Sequence, residues 1–252
     1  VATAKADASS SAQAYDDWLV DQPDSVKSWV ASNGFGAKSG TVCLLPGEDA
    51  ALAGVIAGLG DAPSLWDWAA ISGALPQGTY QLEGDLAPSE ANELTLGWAL
   101  ATYRFTRYGK NSDGLPTLVW PKNCDRDTQE KMAQAIYLVR DLINTPASDM
   151  GPEELAAAAA ELAEDHGADC SVVVGDDLLK QNYPAIHTVG RASPREPRLI
   201  DVTWGKENDP KVTLVGKGVC FDTGGLDLKP SSGMQLMKKD MGGAANVLGA
   251  AS

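Results

Sequence analysis

The sequence has 252 residues and a formal net charge of −14, with 44% hydrophobic and 21% charged residues. These fractions are ordinary for a globular protein, and no apolar run approaches the roughly 20 residues that cross a bilayer. Because duplex binding depends on clustered Lys and Arg side chains that face phosphates, the acidic charge disfavours nucleic acid as a partner. We therefore expect neither a membrane protein nor a nucleic-acid-binding protein.

The cysteines and the N-terminal residues both bear on location. Four cysteines lie dozens of residues apart without a Cys-x-x-Cys pair, and there are two histidines, so a structural zinc site is not expected. Scattered thiols of this kind are typical of a reducing cytoplasm, which is the location that we predict. Residues 1–11 are polar and lack the hydrophobic centre of a signal peptide, so we expect a frayed terminus.

Residues 1–122 have the pattern of a smaller N-terminal α/β domain. Apolar residues at helical spacing flank Pro23, and the run at 41–45 ends at Pro46-Gly47, as a buried strand would. Six of the seven tryptophans lie in this domain, and core packing is favoured for them over ligand stacking. The remaining predicted elements are two helices and a strand, at 48–59, 94–108 and 117–120.

The clearest helix in the sequence is predicted at residues 125–143. Apolar residues recur at three- and four-residue steps from Met132 to Ile143. Pro146 ends the helix, because the residue before a proline is pushed out of the α region. A long helix between two regions of different composition suggests a connector, to which we assign residues 123–146.

Residues 147–252 have the pattern of the first part of a catalytic α/β domain with a mostly parallel sheet. A helix begins at Pro152, with Gly151 as its cap, and ends at His166-Gly167. Short β-branched runs then alternate with helical segments, which is typical of a covered, largely parallel sheet. The predicted elements are a helix at 177–180 and strands at 170–174, 185–189, 198–204 and 212–215, the last of them central.

A glycine-rich stretch follows the last predicted strand, at the edge where open α/β sheets bind ligands. Asp222 and Asp240 offer the carboxylate oxygens that hard or borderline divalent cations prefer, and each lies near a Gly-Gly pair. Lys217 could ligate a metal ion if neutral, whereas a charged Lys229 could stabilise an oxyanion. From the residues alone, solvated charges on surface turns explain the stretch about equally well.

Other side chains carry weaker signals. Gly216-Lys217 lacks the spacing and the hydroxyl residue of a P-loop. Cys220 has no histidine near it in sequence, so inert packing is favoured over a nucleophilic role. We expect His187 to be a hydrogen-bonded core residue and Lys238-Lys239 to be a solvated face.

Two parts of this stretch resemble the signature of the leucyl aminopeptidase (cytosol aminopeptidase) family of di-metal exopeptidases. They are Val215-Gly-Lys-Gly-Val-Cys-Phe-Asp-Thr-Gly-Gly225 and Met234-x-x-Met-Lys-x-Asp-Met-Gly-Gly-Ala-Ala245, with Lys-Pro-Ser between them. The likeness covers residues 125–252 and is weak over residues 1–120.

The resemblance implies a role for each residue of the stretch. Lys217, Asp222 and Asp240 take the places of metal ligands, with Asp222 shared between two ions. Lys229 takes the place of the catalytic lysine. Met237 lies where the family lines the pocket for the N-terminal side chain of the substrate. Lys217, Asp222 and Lys229 share in substrate binding.

The activity implied is release of N-terminal amino acids, with a leucine-type preference, from peptides that have a free N-terminus. The resemblance also implies two divalent ions per subunit, zinc or manganese with magnesium as a third option. A bicarbonate would act as base, and the subunits would form a homohexamer in the cytoplasm.

The family completes its site with the motif Asn-Thr-Asp-Ala-Glu-Gly-Arg, which does not occur in residues 1–252. We therefore expect the two further carboxylate ligands and the arginine beyond Ser252, and we predict that this 252-residue segment alone is inactive. The alternative hypothesis is a non-catalytic family relative that acts as a structural or regulatory assembly.

Overall fold

The computed structural model describes residues 2–5, 12–47, 51–60, 63–109 and 114–252, with side chains described from residue 15 onward. The chain divides into two compact units, residues 1–134 and 135–252. The boundary between the units falls inside one long helix, α5, which spans Arg126–Asn144.

A five-stranded sheet forms the centre of the first unit. Its strands lie in the order β2-β3-β1-β4-β5, and all neighbours are parallel except β2 and β3, which are antiparallel. In chain order, β2 and β3 form one side of the sheet beside the central strand β1, and β4 and β5 then form the other side. The strands are β1 Ala2–Lys5, β2 Val42–Pro46, β3 Leu52–Ala57, β4 Gly78–Glu83 and β5 Pro116–Leu118.

Helices α3 and α4 both contribute buried apolar residues to the main core of this unit. Tyr80 and Trp98 lie in that core, and both satisfy their polar atoms. The Tyr80 hydroxyl donates to the Pro76 oxygen at 2.9 Å, and the Trp98 indole donates to the Pro116 oxygen at 3.0 Å. Buried aromatic residues usually need such partners. The helices of the unit are α1 Ala12–Val20, α2 Asp24–Ser32, α3 Leu65–Ala74 and α4 Pro88–Thr102.

The first turn of α3 is fixed by a capping box. The Asp67 carboxylate accepts hydrogen bonds from the Ser64 backbone N–H at 2.8 Å and from the Ser64 hydroxyl at 2.7 Å. The Ser39 hydroxyl donates to the same carboxylate. These hydrogen bonds hold the pKa of Asp67 below its ordinary value, and the bond from Ser39 has the largest effect. The box satisfies backbone donors that would otherwise lack a partner at the start of the helix.

Several sequence predictions for the first unit need correction. The predicted helix at 48–59 is wrong, because Leu52–Ala57 is β3, which pairs with β2 and buries Val55 and Ile56; residues 48–50 lie outside the described residues. The helix predicted at 94–108 is α4, which begins earlier and ends at Thr102. In β3, pairing with neighbouring strands outweighs the helix propensity of its alanines.

Two further expectations for this unit are also corrected. The expected frayed terminus is wrong for Ala2–Lys5, which forms the central strand, while residues 6–11 lie outside the described residues. Core packing of the tryptophans is confirmed for Trp68 and Trp98, which are buried. It is wrong for Trp29, Trp66 and Trp120, which are 43%, 65% and 37% exposed.

Helix α5 confirms the prediction made from its apolar repeat. It has 19 residues, and its solvent side carries ion pairs at helical spacing, such as Lys131 to Asp127 at 2.7 Å. Among the residues that the structure describes, no helix is both long enough and apolar enough to cross a bilayer.

The second unit has a core built around its helices. Leu142 from α5, Leu155 from α6, Cys220 and Met241 all belong to one buried cluster. The structure confirms the helices predicted to begin at 152 and 177 and the strands predicted to begin at 170 and 198. The elements are α6 Pro152–Asp165, β6 Asp169–Val174, α7 Asp177–Lys180, α8 Pro184–Gly190, β7 Arg198–Thr203, α9 Ser231–Met234 and α10 Gly242–Ala251, with a 3-10 turn at Met237–Met241.

Two predicted strands of the second unit are wrong. Residues 185–189 lie in α8, whose first turn contains Pro184, a residue suited to that position. Residues 211–219 form neither helix nor strand, and Val212 and Val215 are 85% and 87% exposed. β6 and β7 pair antiparallel, so the described strands of this unit do not form the expected parallel sheet. A strand needs a hydrogen-bonded neighbour, and 212–215 has none among the described residues.

We predict that Gly97→Ala lowers the free energy of unfolding by about 2 kcal/mol, as overpacking does. A side chain at Gly97 in α4 would place its Cβ 2.5 Å from the Leu65 backbone oxygen and 3.1 Å from the Trp68 Cβ. The matched control is Gly73→Ala in α3, where nothing lies within 4 Å. Because alanine favours helix, that variant should be neutral or more stable by up to about 1 kcal/mol. Equal melting temperatures for the two variants would contradict this.

We predict a pH-dependent effect of Asp67→Asn. The folded pKa is lowered, so the carboxylate stabilises the fold above the unfolded pKa of about 4. That contribution is lost as the pH falls through the folded value. At pH 7 the variant should lose about 1 kcal/mol in the first turn of α3, measured as faster amide exchange over residues 64–70. The difference in amide exchange between the variant and the wild-type protein should shrink below about pH 4. A difference that grows there would contradict the prediction.

Candidate functional site

Lys217 and Asp240 form the first of two lysine–aspartate pairs in the glycine-rich stretch. The Lys217 Nζ lies 2.7 Å from both carboxylate oxygens of Asp240. The Asp240 side chain is 17% exposed and that of Lys217 is 56% exposed. Asp240 is presented by the 3-10 turn that leads into α10. The structure therefore brings together two predicted site residues that lie 23 positions apart.

Glycines allow this approach, because two backbone segments touch here. The Ala244 N–H donates to the Lys217 oxygen at 2.9 Å. A side chain at Gly243 would place its Cβ 2.7 Å from the Lys217 nitrogen, and one at Gly216 would lie 2.5 Å from the Gly243 oxygen. Neither position has room for a side chain, so both need glycine for the two segments to touch.

Asp222 and Lys229 form the second pair. The Lys229 Nζ lies 2.7 Å from Asp222 Oδ2, and the Gly224 N–H donates to Asp222 Oδ1 at 2.8 Å. The loop closes when the Lys229 N–H donates to the Thr223 oxygen at 3.0 Å, with Gly224 at a φ of 93° that other residues rarely adopt. The loop thus places Lys229, near its end, beside Asp222, at its start.

The electrostatics link the two pairs. The hydrogen bond from Lys229 is the main reason that the pKa of Asp222 lies below its ordinary value. The Gly224 N–H lowers it further, and the charge of Lys217 also contributes. Asp222 therefore stays ionised at neutral pH, with both lysines stabilising its charge.

Met237 begins the turn that carries Asp240 and is partly buried. Its predicted place in a substrate pocket stays a prediction.

The donor atoms fit part of a metal site. Asp222 and Asp240 supply carboxylate oxygens of the kind that divalent cations bind. Lys217 donates to Asp240 in this structure, so it would have to lose a proton before its nitrogen could bind a cation. In the part of the chain that the structure describes, no three His, Cys, Asp or Glu side chains form a metal-binding group. The three residues can thus be ligands, but they do not form a full binuclear set.

Three expectations about nearby residues are resolved. Cys220 is buried, and burial raises the pKa of its thiol to about 11, so it stays protonated and packs in the core as expected. His187 makes the expected hydrogen bond, to Asp176 at 3.1 Å, but it lies on a helix instead of a strand. The solvated-face prediction holds for exposed Lys239 and is wrong for Lys238, which is partly buried and bonded.

Sequence reasoning also missed Arg195, which joins two loops of the second unit. Its guanidinium donates to the Ala147 oxygen at 3.1 Å and to the Ser148 oxygen at 2.5 Å. It also lies 3.4 Å from the Glu154 carboxylate, which itself caps the start of α6 through the Gly151 N–H. The partners lie 41 to 48 residues away in sequence, and no local pattern signals such a contact.

Two family models match the chain. Residues 137–252 match the catalytic domain of the cytosol aminopeptidase family, and residues 9–121 match the N-terminal domain of M17 aminopeptidases. The chain belongs to the cytosol aminopeptidase family. Both of its units are therefore those of this family, and the resemblance found from the signature is confirmed.

Individual members of the family are similar to the chain. Peptidase B of Pectobacterium carotovorum subsp. carotovorum (strain PC1) is 43% identical over 164 residues, which cover 61% of this chain and 38% of that protein. The crystal structure of the cytosol aminopeptidase from Coxiella burnetii matches with a TM-score of 0.89 and 42% identity, over 100% of this chain and 54% of that one. The predicted two-domain α/β fold is thereby confirmed.

A third match is to the structure of a metal complex. The bottromycin maturation enzyme BotP in complex with Mn matches with a TM-score of 0.73 and 33% identity, over 88% of this chain and 51% of that one. The chain thus spans about half the length of these solved structures, and less of the curated relative.

We predict that Gly243→Ala separates the Lys217 segment from α10 and weakens Mn²⁺ binding by about ten-fold or more, as changes next to ligands do. The neighbouring Gly242→Ala is the control, since its Cβ would meet the flexible Ile143 Cδ1 at an ordinary 3.5 Å. Calorimetric titration of the intact protein with Mn²⁺ measures the difference. Equal affinity in both variants would show that the close backbone contact does not shape the site.

Proposed function

We propose that this chain provides the first part of a metal-dependent aminopeptidase that releases N-terminal amino acids, with leucine-type preference, from peptides. The observation that carries the proposal is the pair of lysine–aspartate contacts, Lys217 to Asp240 and Lys229 to Asp222, each at 2.7 Å. Membership of a family whose matched members include a cytosol aminopeptidase and a peptidase supports it.

In this proposal Lys217, Asp222 and Asp240 hold the metal ions, with Asp222 shared between two of them. Asp222 is suited to the shared place, because its ionised carboxylate offers two oxygens and already accepts a backbone N–H. Bound divalent ions would lower the pKa of a water molecule and polarise the scissile carbonyl. We propose zinc or manganese, with magnesium as a third option; a Mn complex of a similar enzyme supports manganese.

Lys229 is the proposed catalytic lysine. Its side chain is 27% exposed, and its ammonium lies beside Asp222, on a loop closed by the backbone hydrogen bond of Lys229. When water adds to the scissile carbonyl, negative charge develops on the carbonyl oxygen. A cation fixed beforehand at that point stabilises the oxyanion without having to reorganise. Lys229 also supplies a donor that can hold the substrate carbonyl before the reaction.

The substrate is a peptide with a free N-terminus. The acidic surface of the chain, with a net charge of −14, attracts cationic α-ammonium groups and divalent ions. We propose that Met237 lines the pocket for the N-terminal side chain, because it is partly buried and lies three residues before Asp240. A thioether side chain adapts to apolar groups of different shape.

The ligand set also suggests what else the enzyme needs. Two carboxylates and one amine are too few for two divalent ions, so we propose that further acidic ligands and an arginine lie outside residues 1–252. A bicarbonate held by that arginine would act as base. We accordingly propose that residues 1–252 alone are inactive, and that the enzyme is a cytoplasmic homohexamer.

The test is hydrolysis of leucine p-nitroanilide by the intact, metal-stripped protein after Mn²⁺ or Zn²⁺ is added. We expect activity to return with the metal. Lys229→Ala should lower kcat by about 10²-fold, the usual cost of one oxyanion donor. Lys206→Ala, an exposed lysine outside the stretch, should leave kcat unchanged.

Two outcomes would contradict the proposal. If no metal restores hydrolysis, the chain belongs to a non-catalytic relative, which is the alternative hypothesis. If metal restores hydrolysis and Lys229→Ala keeps full activity, Lys229 has no part in the reaction.

A further inference from the structure

Two adjacent lysines near the site differ in their surroundings. Lys238 is partly buried, and its Nζ donates to the backbone oxygen of Asn144 at 2.9 Å. Lys239 is exposed, and its ammonium makes no hydrogen bond or ion pair with any residue that the structure describes. A solvated pair would leave both ammonium groups in water, so the position of Lys238 needs its own explanation.

The acceptor of the Lys238 hydrogen bond is the end of a helix. Asn144 is the last residue of α5, where backbone oxygens lack partners within the helix and carry the negative end of its dipole. The last turn of α5 contains no basic residue of its own. A lysine 94 residues later in the chain therefore supplies a cation to this helix end.

The same lysine lies inside the turn that presents the site. The 3-10 turn Met237–Met241 carries Met237, Lys238 and Asp240. Asp240 is bonded to Lys217, and Met241 is 0% exposed in the core of the second unit. Lys238 is thus a third attachment of a five-residue turn. Apolar packing is not directional, whereas a charge-assisted hydrogen bond fixes distance and angle.

We propose that Lys238 is a positioning residue, which anchors the turn to the carboxyl end of α5 and so fixes the Asp240 carboxylate and the Met237 side chain. This inference rests on the proposed function for its metal-affinity and activity measurements, whereas the amide-exchange measurement does not depend on it. Asp240 is two residues from Lys238, so movement of the anchor would be passed directly to the carboxylate. Contacts that orient ligands typically change metal affinity or activity by about 10–100-fold when they are removed.

The experiment uses the intact protein and compares Lys238→Met, Lys238→Arg and Lys239→Met. Methionine keeps the apolar stem of the lysine but cannot donate, and arginine keeps the charge and the donor. We expect Lys238→Met to bind Mn²⁺ about ten-fold more weakly by calorimetry, and residues 234–241 to exchange their amide hydrogens faster. Lys238→Arg should restore most of the affinity, and Lys239→Met should match the unchanged protein.

The kinetics give a signature that general loss of structure would not. With leucine p-nitroanilide, Lys238→Met should lose most kcat at low Mn²⁺ and recover part of it as Mn²⁺ is raised. If Lys238→Met does not fold, Lys238→Gln, which keeps a neutral donor, takes its place and should show an intermediate loss of affinity.

The inference is overturned if Lys238→Met or its substitute binds Mn²⁺ like the unchanged protein, or if Lys239→Met loses as much affinity. If the wild-type protein binds Mn²⁺ but hydrolyses no substrate, only the proposed function is contradicted. The measurements of Mn²⁺ affinity and amide exchange still test the role of Lys238.

Discussion

Two backbone segments, residues 216–217 and 243–244, touch without a side chain between them. One hydrogen bond, from the Ala244 N–H to the Lys217 oxygen, joins them, and glycines at 216 and 243 leave the space. This contact sets where Lys217 leaves the backbone, and hence how its ammonium meets both oxygens of Asp240. The Asp222–Lys229 pair follows five residues later on a loop that continues from the same segment. The geometry of the candidate site therefore begins with a backbone contact rather than with its charged groups.

The parts of the fold that could be predicted are those whose local signals agree with one another. Helix α5 has a regular apolar repeat and a proline after its end, and α6 begins with Gly151-Pro152 followed by acidic residues. Both were predicted to within a residue or two. β3 and α8 were assigned wrongly, because short apolar runs do not distinguish helix from strand. Their state depends on partners: β3 pairs with two strands of the sheet, whereas α8 starts at a proline that suits a first turn.

The candidate site divides in a similar way. Its charged residues could be named from the motif, because glycine spacing and residue type are local properties. The contacts that hold them in place could not be predicted. Lys238 reaches the end of α5 across 94 residues, and Arg195 reaches the Ala147 oxygen across 48. Nothing within a short window distinguishes Lys238 from exposed Lys239. Long-range contacts of this kind depend on the packing of the whole unit, and a single sequence does not record them.

The pairing of each aspartate with a lysine has a consequence for folding. The chain carries 34 acidic and 20 basic residues, so two carboxylates brought together without counterions would concentrate an excess of negative charge at the site. Lys217 and Lys229 act as built-in counterions, and the two pairs sum to zero. The site can therefore assemble with the charge of each aspartate already balanced by a lysine. A dication bound there, as proposed, would have to compete with an ammonium group at each carboxylate, which would favour cations of high charge density over sodium or potassium.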